Sequence, residues 1–310
     1  MFMCGACAFG AIVSPQNSAT LAMLGAVLLW SSATPTSKFA LAEIAVGEFV
    51  LLRLALAAFA LWLLVIVTRT PASLRGVGWR PLVMGLLEPG LVTLLVAIGL
   101  TMTSPVSGSV FWSLMPLLMP LLGRFVLGEP LESIVLLAAV LAFGGTMILI
   151  CGQTQHGGGS VLGDLFVASG VLTSAISGLL ARRNAQAGAN PLATSSWQLT
   201  AGCAVAAALA FVMSVNGGHA QDASVQSISA LIYLGLVVSV GVYILSNYAT
   251  GYIPVGRMSL LTCLGAPVGA AISTVFLSTP VSALDLAGIA VVVFAVALPS
   301  LVTRKADHAI

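Results

Sequence analysis

The chain has 310 residues, 59% of them hydrophobic and only 6% charged, with a net charge of +2 and a mean hydropathy of +1.11. A soluble domain carries about 25% charged residues, so this set could not cover a water-soluble fold. With no basic patch, no glycine-rich phosphate loop and no acidic tail, the sequence offers nothing for a nucleic-acid partner.

Apolar runs recur along the whole length, each near the roughly 20 residues that cross a bilayer as a helix. The alternating short strands of an outer-membrane barrel are absent. The reading is therefore an all-α membrane protein whose first partner is the lipid bilayer. The first 13 residues are apolar but lack a basic n-region, and residues 1–18 are expected as a disordered or interfacial tail rather than a cleaved signal peptide. Cys4 and Cys7 have metal-like spacing, yet His156, His219 and His308 lie far away in loops or the tail. All five cysteines are expected as free thiols, with no metal and no cofactor.

Ten spans are predicted, over 19–38, 46–68, 81–101, 105–127, 131–151, 161–181, 192–214, 227–249, 254–277 and 283–302. The joining loops are short, and no extramembrane domain is left over. With a cytoplasmic N-terminus, Arg69, Arg75, Arg80, Arg124, Arg182, Arg183, Arg257, Arg304 and Lys305 all fall on the cytoplasmic side. The outer loops then carry no Lys or Arg, and one missed or invented span would scramble that division. The topology read from it is N-in and C-in.

The two halves echo each other. The run Ser104 to Pro130 resembles Ile253 to Pro280: each has an entry proline, an apolar helix and a second proline, Pro116 or Pro267. The stretch "GLLEPG" (Gly85 to Gly90) lies where "GLVVSVG" (Gly235 to Gly241) lies in the second half, and Arg53 lies where Gln198 lies. Five spans per half is an odd number, so a tandem copy enters the membrane inverted. Inverted repeats are a signature of secondary transporters.

These motifs resemble the drug/metabolite transporter superfamily in its EamA branch. The likeness runs from about Thr20 to Thr303. It rests on "LLWSSATPTSKFAL" (Leu28 to Leu41), Arg53 in "LRLALAA", "MPLLMPLLGRFVLGEPL" (Met115 to Leu131) and "GDLFVASGVLTSAISGLLARR" (Gly163 to Arg183). One departure is "STPVSALD" (Ser278 to Asp285), where many relatives carry a Glu like Glu129. The resemblance implies ten transmembrane helices as two inverted five-helix repeats, 19–151 and 161–303, joined by a linker at 152–160 and followed by a tail at 304–310. It also implies carriage of a small metabolite, without naming the solute.

Glu88 is the residue that asks for an explanation. It lies about 10 Å past the cytoplasmic entry at Pro81, in the inner half of a ~30 Å apolar core. A charge at such depth is costly unless it faces the bundle interior. Pro89 removes a backbone donor and Gly90 permits close approach, so Glu88 reads as a cavity carboxylate that binds an amine or takes a coupling proton. The alternative is a structural ion pair, or a shallow Glu that reaches the interface. Arg53, at similar depth from the outer side, offers a two-pronged guanidinium to a carboxylate, or pairs with Glu48 or Glu43 to hold the first two spans together. Trp30 and Trp112, beside small serines, are candidate pocket walls. Gln198, Tyr243 and Asn247 are candidate hydrogen-bonding groups, the last two sharing a helix face at i, i+4. Lys38, Pro89, Gly90, Pro116 and Pro267 are gating or hinge candidates. Glu129, before Pro130, is expected to cap the fifth span.

The function these residues point to is a secondary transporter in the cytoplasmic (inner) membrane. It would move a small amino-acid-like or amine solute, with export favoured, by alternating access. No ATP-binding motif is present, and protons are the candidate coupling ion. A monomer or a homodimer is expected. The alternatives are a passive solute channel and a non-transporting assembly or sensor subunit. An intramembrane enzyme finds no HExxH, no buried Asp pair and no Ser/His pairing within the spans.

Overall fold

The computed structural model describes residues 14–103, 105–151, 160–215, 223–277 and 282–307, and every regular element among them is a helix. The first half holds α1 (Pro15–Leu41), α2 (Val46–Thr68), the short α3 (Leu74–Val77), α4 (Arg80–Met102), α5 (Pro105–Ser113), α6 (Met115–Leu127) and α7 (Ser133–Cys151). The second holds α8 (Val161–Gln186), α9 (Pro191–Val215), α10 (Val225–Tyr252), α11 (Val255–Thr262), α12 (Gly265–Leu277) and α13 (Ala283–Asp307). Eight of these are long and apolar enough to cross a membrane. Their outer faces agree: Phe59, Ile66 and Val67 on α2 and Phe211 on α9 are about 70% exposed, a surface that only lipid can solvate.

Three boundaries differ from the sequence reading. The helix expected from residue 19, after a tail ending at 18, begins at Pro15. Ser14 caps it by accepting a hydrogen bond from the Asn17 amide, and Pro15 sits in the first turn, where its missing N–H costs nothing. The stretches expected as the fourth and ninth spans are each divided. α5 gives way to α6 at Leu114, two residues before Pro116, and α11 gives way to α12 at Cys263 and Leu264, just before Pro267. In each case the proline withholds a helical donor and crowds the preceding turn. Residues 1–13, the loop 152–159, the Cys151 side chain and the three histidines lie outside the described residues, as do most of Val215 to Gln226; Cys203 and Cys263 are free thiols.

Helix pairing follows one plan twice. α2 packs along α9, and α7 along α13. The distal part of α4 packs on α8, and α10 packs on α1. α8 meets α5, and α1 meets α12. Small residues permit the crossings at corresponding places. Gly25 on α1 faces Leu245 on α10, while Gly170 on α8 faces Leu95 and Val96 on α4. A Cβ on Gly85 would stand 1.9 Å from the Gln198 carbonyl oxygen of α9. One on Gly235 would stand 2.9 Å from Leu56 Cβ and 3.3 Å from the Arg53 carbonyl oxygen of α2.

The core is correspondingly divided into patches between paired helices. One joins Leu54, Ala57 and Leu61 of α2 to Leu199 and Ala206 of α9, and another joins Ala138 and Ala142 of α7 to Leu260 and Ala295. Backbone-to-backbone approach at Gly85 leaves no room for a side chain, whereas Gly144 on α7 has open space where a Cβ would go. Gly85→Val is therefore expected to lower thermal stability in detergent by about 1–3 kcal/mol or more through overpacking. Gly144→Ala should be neutral or stabilising by up to about 1 kcal/mol. Equal melting temperatures for the two variants would contradict the crossing.

Candidate functional site

α4 runs regularly from Arg80 to Gly85, widens to an i→i+5 pattern over Leu86–Leu91, and resumes at Val92. The cause is local. Pro89 has no N–H to donate and disfavours helical geometry in the residue before it. Glu88 is accordingly extended, with φ −138° and ψ 116°, inside an otherwise helical segment. The Glu88–Pro89 peptide bond is cis. Gly202 of α9 makes room for the proline ring, since a Cβ there would lie 2.5 Å from Pro89 Cγ.

A break in apolar surroundings must find partners for the carbonyls it releases. Two side chains supply them. The Ser177 hydroxyl of α8 donates to the Met84 carbonyl at 3.3 Å, and the Gln198 amide of α9 donates to the Glu88 carbonyl at 3.0 Å. Asn247 of α10 holds Gln198 in turn, donating to its Oε1 at 3.1 Å and to Ser195 Oγ at 2.9 Å. Gln198, Asn247, Ser195 and Ser177 are all buried. The Glu88 carboxylate accepts from Ser174 Oγ at 2.8 Å. Glu88 as a residue is half-buried.

The corresponding stretch of α10, Tyr233–Ser239, is widened in the same manner without a proline and without leaving helical geometry. Arg53 of α2 reaches it, its Nε donating to Ser239 Oγ at 2.9 Å. Tyr243, one turn further along α10, packs against the patch formed by Leu54, Ala57 and Leu61 of α2 with Leu199 of α9. The carboxylate and the guanidinium thus each bond a serine, Glu88 from the irregular stretch of α4 and Arg53 at that of α10. On the α9 side of the break lies an apolar cavity of about 200 Å³, lined by Val50, Pro89, Gly90, Thr93, Gly202 and Val205 among others.

One family model, the EamA-like transporter family, matches residues 17–151 and again residues 161–301. The chain belongs to that family. It is also 26% identical over 291 residues to the uncharacterized transporter YyaM of Bacillus subtilis (strain 168), covering 90% of this chain and 93% of that protein. A solved protein structure at 20% identity superposes with a TM-score of 0.78, covering 93% of this chain and 97% of its own. At that identity the likeness shows the fold alone.

In this EamA-like protein the sequence-derived candidates divide. Glu88, Pro89, Gly90, Gln198 and Asn247 come together at the break, while Arg53 bonds Ser239 and Tyr243 packs on the patch between α2 and α9. Trp30 stands 48% exposed on α1 and Trp112 is half-buried on α5, and neither is seen in the hydrogen-bonded network. Lys38 is exposed near the end of α1. The alternative pairing of Arg53 with Glu48 or Glu43 is not formed: Arg53 turns to Ser239, and Glu43 accepts instead from Ser227 Oγ and the Ser224 amide, both at 2.7 Å. Those two donors, Ser227 first, hold the Glu43 carboxyl below the ordinary carboxylate range. Glu129 does not cap α7, which begins at Ser133; it bonds Arg182 and the amide of Val255.

The sequence reading missed Ser174, Ser177, Ser195 and Ser239. Their signal was present as small hydroxyls spaced i, i+3 along apolar helices: Ser174 and Ser177 on α8, Ser195 with Gln198 on α9. Gln198→Leu is expected to leave the Glu88 carbonyl without its donor and to cost about 1–3 kcal/mol in detergent stability. Ser246→Ala, which loses only a hydroxyl bonded back to its own helix, should change stability by less. Indistinguishable unfolding of the two would refute a supporting role for Gln198.

Proposed function

We propose that this EamA-like protein is a secondary carrier in the cytoplasmic membrane, moving a small amino-acid-like or amine solute by alternating access, with export the favoured direction. The observation that carries the proposal is the Glu88 carboxylate at the break in α4, where α8 and α9 supply hydrogen bonds to the group and its backbone. A carboxylate among apolar helices is a costly thing to retain for packing alone. A cationic amine or a proton arriving there removes the same electrostatic cost, so solute and coupling ion meet at one group. Arg53 offers a carboxylate partner nearby, which suits a solute bearing both charges.

Ten spans are proposed by counting α5 with α6 and α11 with α12 as two broken crossings beside the eight long helices. The chain then has both termini inside and Arg69, Arg75, Arg80, Arg124, Arg182, Arg183 and Arg257 on the cytoplasmic face. Two inverted five-helix repeats, 19–151 and 161–303, are supported by the doubled family match and by the paired contacts. Gly85 meets Gln198 as Gly235 meets Arg53, and Gln198 serves the irregular stretch of α4 as Arg53 serves that of α10. The apolar cavity behind Pro89 gives the break space to move, as a hinge requires.

The test is flux into liposomes holding purified protein, with a panel of labelled amino acids and amines, wild type beside Glu88→Gln, with and without a pH gradient. The expected result is saturable flux whose pH dependence disappears in the variant. Loss confined to cationic solutes would instead make Glu88 a solute site without a proton role. Equal flux in both proteins would remove Glu88 from the mechanism, and flux that never saturates would favour a passive channel.

A further inference from the structure

We infer that a cluster of arginines and glutamates at one end of the bundle is an ionic gate, and that this structure holds the gate shut. The inference rests on the carrier reading for its purpose, but its geometry stands apart from Glu88. Glu129, between α6 and α7, pairs with Arg182 Nε of α8 at 2.6 Å, with both side chains only about a tenth exposed (10% and 11%). Its other oxygen accepts the Val255 amide at the start of α11, at 3.0 Å. Arg182 also donates to the Thr250 carbonyl near the end of α10. Arg183 Nη2 donates to the Val126 carbonyl at 2.7 Å, and Arg257 Nη2 of α11 pairs with Glu132 Oε2 at 2.9 Å. In every one of these cross-links but the Arg182–Thr250 bond, one partner comes from the first half of the chain and the other from the second.

Two features mark this junction as one that opens. First, it sits beneath an apolar plug. Met119 of α6 packs among Ala175 and Leu179 of α8 and Val255 of α11, so parting the halves here would uncover a path running up α8 toward Ser174 and Glu88. Second, the Arg257–Glu132 pair beside it is open to water, with side chains 40% and 37% exposed, so solvent can replace each partner as the halves part.

The opposite end of the bundle is joined differently. There two acids meet neutral donors: Glu43 takes Ser224 and Ser227, and Asp164 takes the Thr103 hydroxyl at 2.6 Å. Ion-paired hydrogen bonds are roughly twice as strong as neutral ones. The Arg-rich end is therefore the one held shut, and the serine-bonded end is the one that yields first.

The experiment follows access rather than flux. In a full-length chain with its five cysteines replaced, Met119→Cys reports on the plug. A membrane-impermeant thiol reagent is applied to vesicles of each orientation. With Glu129 intact, labelling from the Arg-rich face should be slow. Glu129→Gln or Arg182→Gln should raise it roughly tenfold from that face alone. Glu132→Gln, at a pair that is more exposed and so less disruptive to folding, should raise it by a smaller factor. Unchanged labelling in all three variants overturns the gate. Equal acceleration from both faces also overturns it, since general loosening would do that. No solute is needed, so failure of the flux experiment and failure of this one are separate results.

Discussion

A peptide group inside a bilayer has no water to fall back on, and the rest of this structure is arranged around that constraint. Most of the chain meets it in the simplest way, with uninterrupted apolar helices that satisfy their own backbones. At Pro89 the chain declines that solution. Proline withholds the donor, Glu88 becomes extended, and neighbouring helices must complete the backbone from outside. Ser177 and Gln198 do so, and Asn247 with Ser195 fixes Gln198 in place. Ser177, Ser195, Gln198 and Asn247 thus answer to one irregular turn in α4.

That dependence sets which helices can move relative to one another. α4 is tied to α9 by backbone contact at Gly85 and by the Gln198 bond, and to α8 by Ser174, Ser177 and the glycines at 99, 163 and 170. α10 is tied to α2 by Arg53 and Gly235, and to α1 by Gly25. The two irregular helices are each wedged between members of the opposite half. Motion that separates the halves at one end must be absorbed where helices are already divided. Those places are the turn at Leu114, the turn at Cys263 and Leu264, and the break at Glu88.

How much of this was legible beforehand depends on the kind of physics involved. Apolar length gave the positions of the eight long helices to within a few residues, because span length is fixed by bilayer thickness. The break was legible in "EPG", since each residue carries its own backbone consequence. The partners were not. Glutamate before proline, Glu129, suggested a cap on the following helix, yet the carboxylate crosses to Arg182 and to the start of α11. Nothing local in the sequence chooses between an adjacent helix and one 126 residues away, as Val255 is. Arg53 misled for the same reason: Glu48 and Glu43 are near in sequence, but Ser239 is near in space. The tryptophans carry no such signal: a Trp among apolar residues has the same periodicity whether its ring faces a pocket or lipid, and Trp30 is about half exposed.

The two halves share a plan but not a chemistry, and the difference bears on mechanism. Where α4 has Glu88 and Pro89, α10 keeps helical geometry and has Val238 and Ser239. Where α9 places a neutral amide at Gln198, α2 places a full cation at Arg53. A carrier with identical halves would present the same site in both orientations. Here one irregular helix carries a carboxylate, while the other receives a guanidinium. Under the proposed carrier reading, an exchange of outward and inward forms would leave the charges fixed to their own helices while changing which face reaches them, and a solute's charged end would compete with Ser174 for Glu88 or with Ser239 for Arg53.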